Sequence, residues 1–429
     1  MTATRQWSAV ALLTAVYTVS FIDRQVINLL VDPIRVDLGL SDTEISLLQG
    51  LAFALPYVLL SLPMGRIVDI ANRVRVLLLG LLVWTLACMC CGLARGFWQL
   101  AFARIGVGAG EATVTPASWS LLADWFPAEQ RALPVSVFLM GPYLGAGISL
   151  LAGAEVMSWA SGLGTVELPL IGLLAPWQIT FIVVAAPGFA LLLLMPMLSE
   201  PSRTDTLQLH TSLTLQQLLD IIWARRAVYG AYLLGAPFIV LVLYAFQAWI
   251  PSLLVRVHGF DIVDAGRIYG SIALVAGSAG VLAGPLIMKW LHARLDQDGA
   301  PLTIAMCAAV LLIPVSVTMG LSDSPTVAIA MVTAGSFLIT VPMALFATGL
   351  QNSSPNEIRG LIAGAYVFMV NVVGLAFGPS SVALVTDEVF GRDDAVGLSL
   401  AVVCGCALLL AAFLLRQGQG AFQSEARHR

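Results

Sequence analysis

Long apolar runs separated by short polar breaks fill the chain from end to end. They lie near residues 8–31, 45–68, 76–95, 98–123, 132–158, 177–198, 225–254, 264–291, 301–320, 325–350, 358–385 and 395–416. Each is close to the roughly 17–25 residues a helix needs to cross a bilayer. Twelve transmembrane helices are therefore predicted. The longest polar break, SEPSRTDTLQLHTSLTLQQLLDIIWARR at residues 199–226, falls between the sixth and seventh runs. The expected architecture is an all-α membrane protein of two pseudo-symmetric six-helix bundles, residues 1–198 and 225–429, joined by a cytoplasmic linker, 199–224. A short cytoplasmic tail closes the second bundle. The opening MTATRQW runs into the first span without a small-residue cleavage signal, so that span is expected to be retained.

Composition sharpens this picture. Of the 429 residues, 59% are hydrophobic and 11% charged, against about 25% charged in soluble domains. The net charge of −4 is small and scattered, which argues against nucleic-acid binding. If the N-terminus is cytoplasmic, 14 of the 21 Lys and Arg residues fall on inner loops and five on outer ones. The positive-inside rule then places both termini in the cytoplasm, and a bacterial inner membrane is the expected location. An internal echo supports two halves: Pro127-x-x-x-Arg131 after span four recurs as Pro355-x-x-x-Arg359 after span ten.

Short motifs mark the loops. GRIVDIANRVR after span two carries Gly65, Asp69, Arg73 and Arg75, with Asp69 and Arg73 at i, i+4 spacing. It resembles the signature of the major facilitator superfamily between spans two and three, with Ile70 where that family has a basic residue. LLADWFPAEQR places Asp124 and Arg131 at the next inner loop, where the resemblance implies a basic residue joining the Asp69 network. With Arg359, these residues form a candidate cytoplasmic gate. MGPYLGAGI in span five resembles the glycine-proline motif of facilitator-type antiporters, and close helix packing explains it equally well. IGVGAGEA in span four is not a nucleotide loop, because no strand precedes it.

Four ionisable residues stand inside spans: Asp23 and Arg24 in span one, Arg104 and Glu111 in span four. Such residues are functional candidates by default. Asp23 and Arg24 are about 100° apart around a helix and should seek other partners. Arg104 and Glu111 are about 700° apart and share a face. Depth along the two spans suits a pairing of Asp23 with Arg104, leaving Glu111 the more weakly held acid and the expected carrier of the coupling proton. A neutral cluster that merely fixes packing is the alternative reading.

The motifs F-x-D-R, PMGRIVD, ARIGVGAGEA, PASWSLLADWFP and GPYLGAG, in order through the first half, resemble the spinster-like branch of the major facilitator superfamily. The resemblance implies the major facilitator fold and a proton-coupled transporter. In that branch, vertebrate relatives export sphingosine phosphate and lysophospholipids. It implies that Asp23, Arg24, Arg104 and Glu111 occupy its buried charged positions, with Glu111 favoured for protonation. A lipid-like or organic-anion substrate is expected, met by Arg24 and Arg104. Phe53, Tyr57, Tyr143, Tyr244, Gln247, Phe346, Tyr366 and Asn371 are lining candidates, although ordinary packing accounts for each as well. A transporter of small organic acids or drugs is the alternative. An integral-membrane enzyme would need a nucleophile–base pair or clustered ligands, and none is visible. The six cysteines lie in apolar runs without metal-ligand spacing. No cofactor beyond the proton is expected. The partners anticipated are the substrate and membrane lipids, with no nucleic acid, and the chain is expected to be a monomer.

Overall fold

The structure is a computed structural model that describes residues 3–127, 130–169, 171–201, 222–295, 300–354 and 358–427. Most of the expected linker and Pro355 lie outside the described residues. Among those described, 11 helices are long and apolar enough to cross a membrane. The twelfth expected span falls short because it is broken in two. α6 (Phe97–Glu111) stops after Glu111, and α7 (Val114–Trp125) resumes two residues later. Pro116 supplies the reason. Its ring nitrogen has no hydrogen for the carbonyl of Ala112, and the ring crowds that carbonyl. The break is tied by Thr113, whose N–H and hydroxyl reach the Gly110 carbonyl at 3.3 and 2.9 Å.

Contacts divide the chain into two units. The first is Met1–Thr206 with Phe260–Leu274, the second Leu207–Gly259 with Val275–Arg429. In the first unit α1 (Ala3–Leu29) is followed by a short helix, α2 (Val31–Leu38), which ends on Gly39 at φ 66°. Span two begins as α3 (Asp42–Gln49), opened by a reciprocal Ser41–Glu44 capping box, and continues as α4 (Leu51–Ile70). α5 (Arg73–Cys91), the α6–α7 pair, α8 (Ala132–Leu139) with α9 (Gly141–Leu163), and α10 (Pro176–Leu194) complete it. A two-stranded hairpin that the apolar pattern did not announce joins α9 to α10. Its strands β1 (Val166–Leu168) and β2 (Gly172–Leu174) pair antiparallel, Val166 opposite Leu174.

Small residues bring these helices close. A Cβ on Gly108 would stand 2.3 Å from the carbonyl oxygen of Phe53, and one on Gly110 2.7 Å from that of Gly80. The glycines of IGVGAGEA thus let α6 touch the backbones of α4 and α5. Gly145 of GPYLGAG does the same against α1, where a Cβ would lie 2.5 Å from the Thr18 carbonyl. Ser149 adds a hydrogen bond to the Ile22 carbonyl at 2.8 Å. That motif is a packing device.

The second unit is built from helices that include Ala236–Arg256, Ala300–Leu321, Pro325–Thr340 and Val396–Arg427. It carries wide π turns at Ala231–Gly235, Val370–Ala376 and Val385–Phe390. Its buried polar residues among those described are neutral: serines, threonines and Asn371. Asp23, Arg24, Asp42, Arg73, Arg104 and Glu111, the buried charged residues, all belong to the first unit.

Candidate functional site: a buried charge cluster

α1, α3–α4, α5 and α6 each place part of the cluster. Arg24 on α1 directs its guanidinium at Glu111 on α6. Both Nε, at 3.2 Å, and Nη2 donate to one carboxylate oxygen, Oε2. The guanidinium carbon lies 4.2 Å from the ring centres of Phe21 and Phe53 and 5.3 Å from that of Tyr57. A cation held so, with aromatic faces around it and water excluded, is stabilised by the ring quadrupoles as well as by the carboxylate.

Arg104 performs a different task. Its Nε donates to the Leu48 carbonyl at 3.2 Å, and its Nη1 and Nη2 to the carbonyls of Asp23 and Arg24 at 3.4 and 3.2 Å. It thereby clips the backbone of α1 to that of α3. The expected bond between the Asp23 carboxylate and Arg104 is corrected here. Arg104 is at the right depth but grips carbonyls, and Glu111, expected to be the weakly held acid, is the one in an ion pair. Both carboxylate oxygens of Asp23 are buried without a hydrogen-bond partner. Trp84, Cys88, Arg104 and Glu111 are its polar neighbours.

Side-chain direction explains the exchange of partners. Helical side chains lean toward their own N-terminus. Spans one and four run in opposite directions, so Arg24 and Glu111 lean toward each other and close a seven-residue offset. Arg104, two turns nearer the N-terminus of α6, leans as Glu111 does and so away from that carboxylate, onto the carbonyls of Asp23 and Arg24.

A second polar group continues from the first. Asn28 donates to Oε1 of Gln25, and Gln49 on α3 donates to Oδ1 of Asn28 at 3.0 Å. All three are buried, and Oε1 of Gln49 has no partner. Gln25, Asn28 and Gln49 were not singled out from the sequence. Their signal was available, because Gln25 and Asn28 stand at i, i+3 spacing inside an apolar run.

The loop motifs come together only in part. Arg73 donates to Asp124 and to the Ser120 side chain at 3.0 Å on α7. It also meets Glu200 at 2.7 Å and the Pro201 carbonyl at 3.0 Å. Glu200 accepts from the Val74 N–H at 3.1 Å as well, placing a carboxylate at the positive end of α5. The expected i, i+4 pairing of Asp69 with Arg73 does not form, because α4 ends at Ile70 and α5 starts at Arg73, so the two sit on different helices. Asp69 is exposed. Arg131 does not join it either. It caps α7 instead, donating to the carbonyls of Ala123 at 2.7 Å and Phe126 at 3.3 Å. Gly65 lies half-buried on α4, and the side chain of Arg359 is outside the described residues.

Of the lining candidates, Phe53 and Tyr57 stack on each other 5.6 Å apart beside Arg24. Tyr143 is half-buried on α9. Tyr244, Gln247 and Tyr366 are half-buried in the second unit, and Phe346 there is fully buried core. Asn371 stands within a π turn of that unit, donating to the Val367 carbonyl at 2.8 Å.

Comparison with known proteins bears on the fold and the family. The chain is 27% identical to an MFS-type efflux pump of Mycolicibacterium smegmatis, over 99% of this chain and 94% of that one. It is 22% identical to a hexuronate transporter of Bacillus subtilis, over 86% and 85%. Its fold matches the crystal structure of a bacterial homolog of the human lysosomal transporter Spinster, in an inward-facing, unoccupied conformation. The TM-score is 0.81 at 23% identity, covering 99% of each chain. These relatives are transporters and not enzymes. With the sequence profile described as Major Facilitator Superfamily matching residues 13–379, the chain belongs to that superfamily of membrane transporters.

Proposed function

We propose that this chain is a proton-coupled secondary active transporter that works by alternating access on an organic anion. The observation that carries the reading is the buried ion pair between Arg24 and Glu111. A guanidinium fork suits a carboxylate or a phosphate. Glu111 and an anionic substrate would therefore compete for the same cation. Protonating Glu111 removes its charge and frees Arg24 for the substrate, and deprotonation drives the substrate off. Coupling follows from that competition, since each ligand changes the affinity for the other. Asp23, whose oxygens have no hydrogen-bond partner, is the second proton-binding group in this scheme.

The hexuronate transporter among the relatives supports a small carboxylate as cargo. A lipid-like anion is the second reading, favoured by the rings of Phe21, Phe53 and Tyr57, which offer an apolar surround to a charged headgroup. Under either reading the membrane is a bacterial inner membrane with both termini in the cytoplasm. Arg73, Asp124 and Glu200 then form the cytoplasmic latch.

Reconstitution into liposomes tests the proposal. A pH gradient should drive uptake of an organic anion by the native chain. Glu111→Gln should lose at least nine-tenths of the gradient-driven flux while keeping downhill exchange. A full response to the gradient in that variant rejects the assignment.

A further inference from the structure

We infer that the substrate is a polyhydroxylated acid, whose carboxylate meets Arg24 and whose hydroxyls are read by the amide chain Gln25–Asn28–Gln49. This rests on the organic-anion reading above and narrows it. Arg24 and Asn28 are four residues apart on α1, so they lie on one face, one turn apart. Phe53 and Gln49 are likewise four apart along span two. The two faces meet as a ladder. On one rung the guanidinium of Arg24 lies over Phe53 at 4.2 Å, and on the next Asn28 accepts from Gln49 at 3.0 Å. A cation and a set of amides thus share one seam, about 6 Å apart at the backbone. That suits a molecule the length of a six-carbon acid.

Chemistry separates the candidate cargoes. Oε1 of Gln49 is a buried acceptor with no donor. Buried acceptors of this kind are costly to leave unmet. A hydroxyl group supplies the missing donor, and its own oxygen accepts in return from an amide N–H. A hydrocarbon chain supplies neither. A site built around such groups rejects an analogue that lacks the hydroxyls more strongly than an apolar pocket rejects one that has them.

The test compares D-gluconate with hexanoate, which have the same six-carbon backbone and carboxylate with and without hydroxyls. Binding to the purified full chain in detergent is measured by equilibrium dialysis. Gluconate should bind at least tenfold more tightly, and Gln49→Met should remove most of that preference. The comparison on the native chain depends on no variant folding. Equal binding of the two acids, a preference untouched in Gln49→Met, or displacement of gluconate by equimolar lysophosphatidylglycerol would overturn the inference. Proton-driven flux of an anion that is blind to hydroxyls would end this inference and spare the coupling. Selective gluconate binding without gradient-driven flux would do the reverse. If neither acid binds, the inference falls.

Discussion

Arg24 and Arg104 are the same residue type, both buried in one unit, and they do unlike work. Arg24 meets a carboxylate and three rings, so its partners are side chains. Arg104 meets three backbone carbonyls, so its partners are the fold itself. Arg104→Ala should accordingly act first on stability. It removes three hydrogen bonds from a charged donor to buried carbonyls, a loss on the order of 3 kcal/mol. A thermal unfolding curve in detergent should show a clearly lowered midpoint, with Arg104→Lys in between. An unchanged midpoint would show that the clip between α1 and α3 holds nothing. The sequence identified all four charged members of the cluster, because a charge in an apolar run is conspicuous. It misassigned their bonds, because depth along a helix says where a Cα lies and not which way a long side chain leans.

At the scale of elements, the fold depends on how closely α6 approaches its neighbours. Gly108 and Gly110 face the backbones of α4 and α5, and a Cβ at Gly108 would stand 2.3 Å from the Phe53 carbonyl. Gly108→Val must therefore push α6 away from α4, at a cost of roughly 1–3 kcal/mol. It should also loosen the stack of Phe53 on Arg24. Gly96→Ala is the control, since its added Cβ meets nothing within 4 Å and its backbone is extended. Thermal midpoints of the two variants should separate, and equal midpoints would refute the close-approach account. The break in span four was not foreseen, since 98–123 reads as one apolar run; Pro116 carries a signal for it, but prolines also stand inside unbroken helices such as α4. The hairpin β1–β2 was not readable, because strands of three residues are too short to show a period. The ion pairs of Arg73 were half readable. Asp124 and Arg73 stood in recognisable motifs, whereas Glu200 lies far along the chain and meets Arg73 only once α10 has folded back.

For the whole molecule, the distribution of charge is the informative quantity. Every buried charged residue among those described belongs to the first unit, while the second offers neutral polar groups only. Among the described residues, the buried groups that could carry the proposed coupling proton thus lie in the first unit. Charge also supports the proposed orientation, with 14 of 21 Lys and Arg residues on one set of loops. A green fluorescent protein fused after Arg429 should fluoresce in whole bacterial cells, and an alkaline phosphatase fused there should be inactive. The opposite pattern would invert the topology and place the Arg73–Asp124 contact on the outer side.

Hydropathy period, loop charge and the rarity of ionisable residues in apolar runs are local properties, and they were enough to establish the membrane class, the spans and the members of the charge cluster. Which acid Arg24 holds, what Arg104 clips together and how Gln25, Asn28 and Gln49 join depend on helices distant in sequence meeting at a particular rotation and depth. Those are three-dimensional quantities, set by glycine contacts and by the lean of side chains along antiparallel helices. Only the folded first unit decides them.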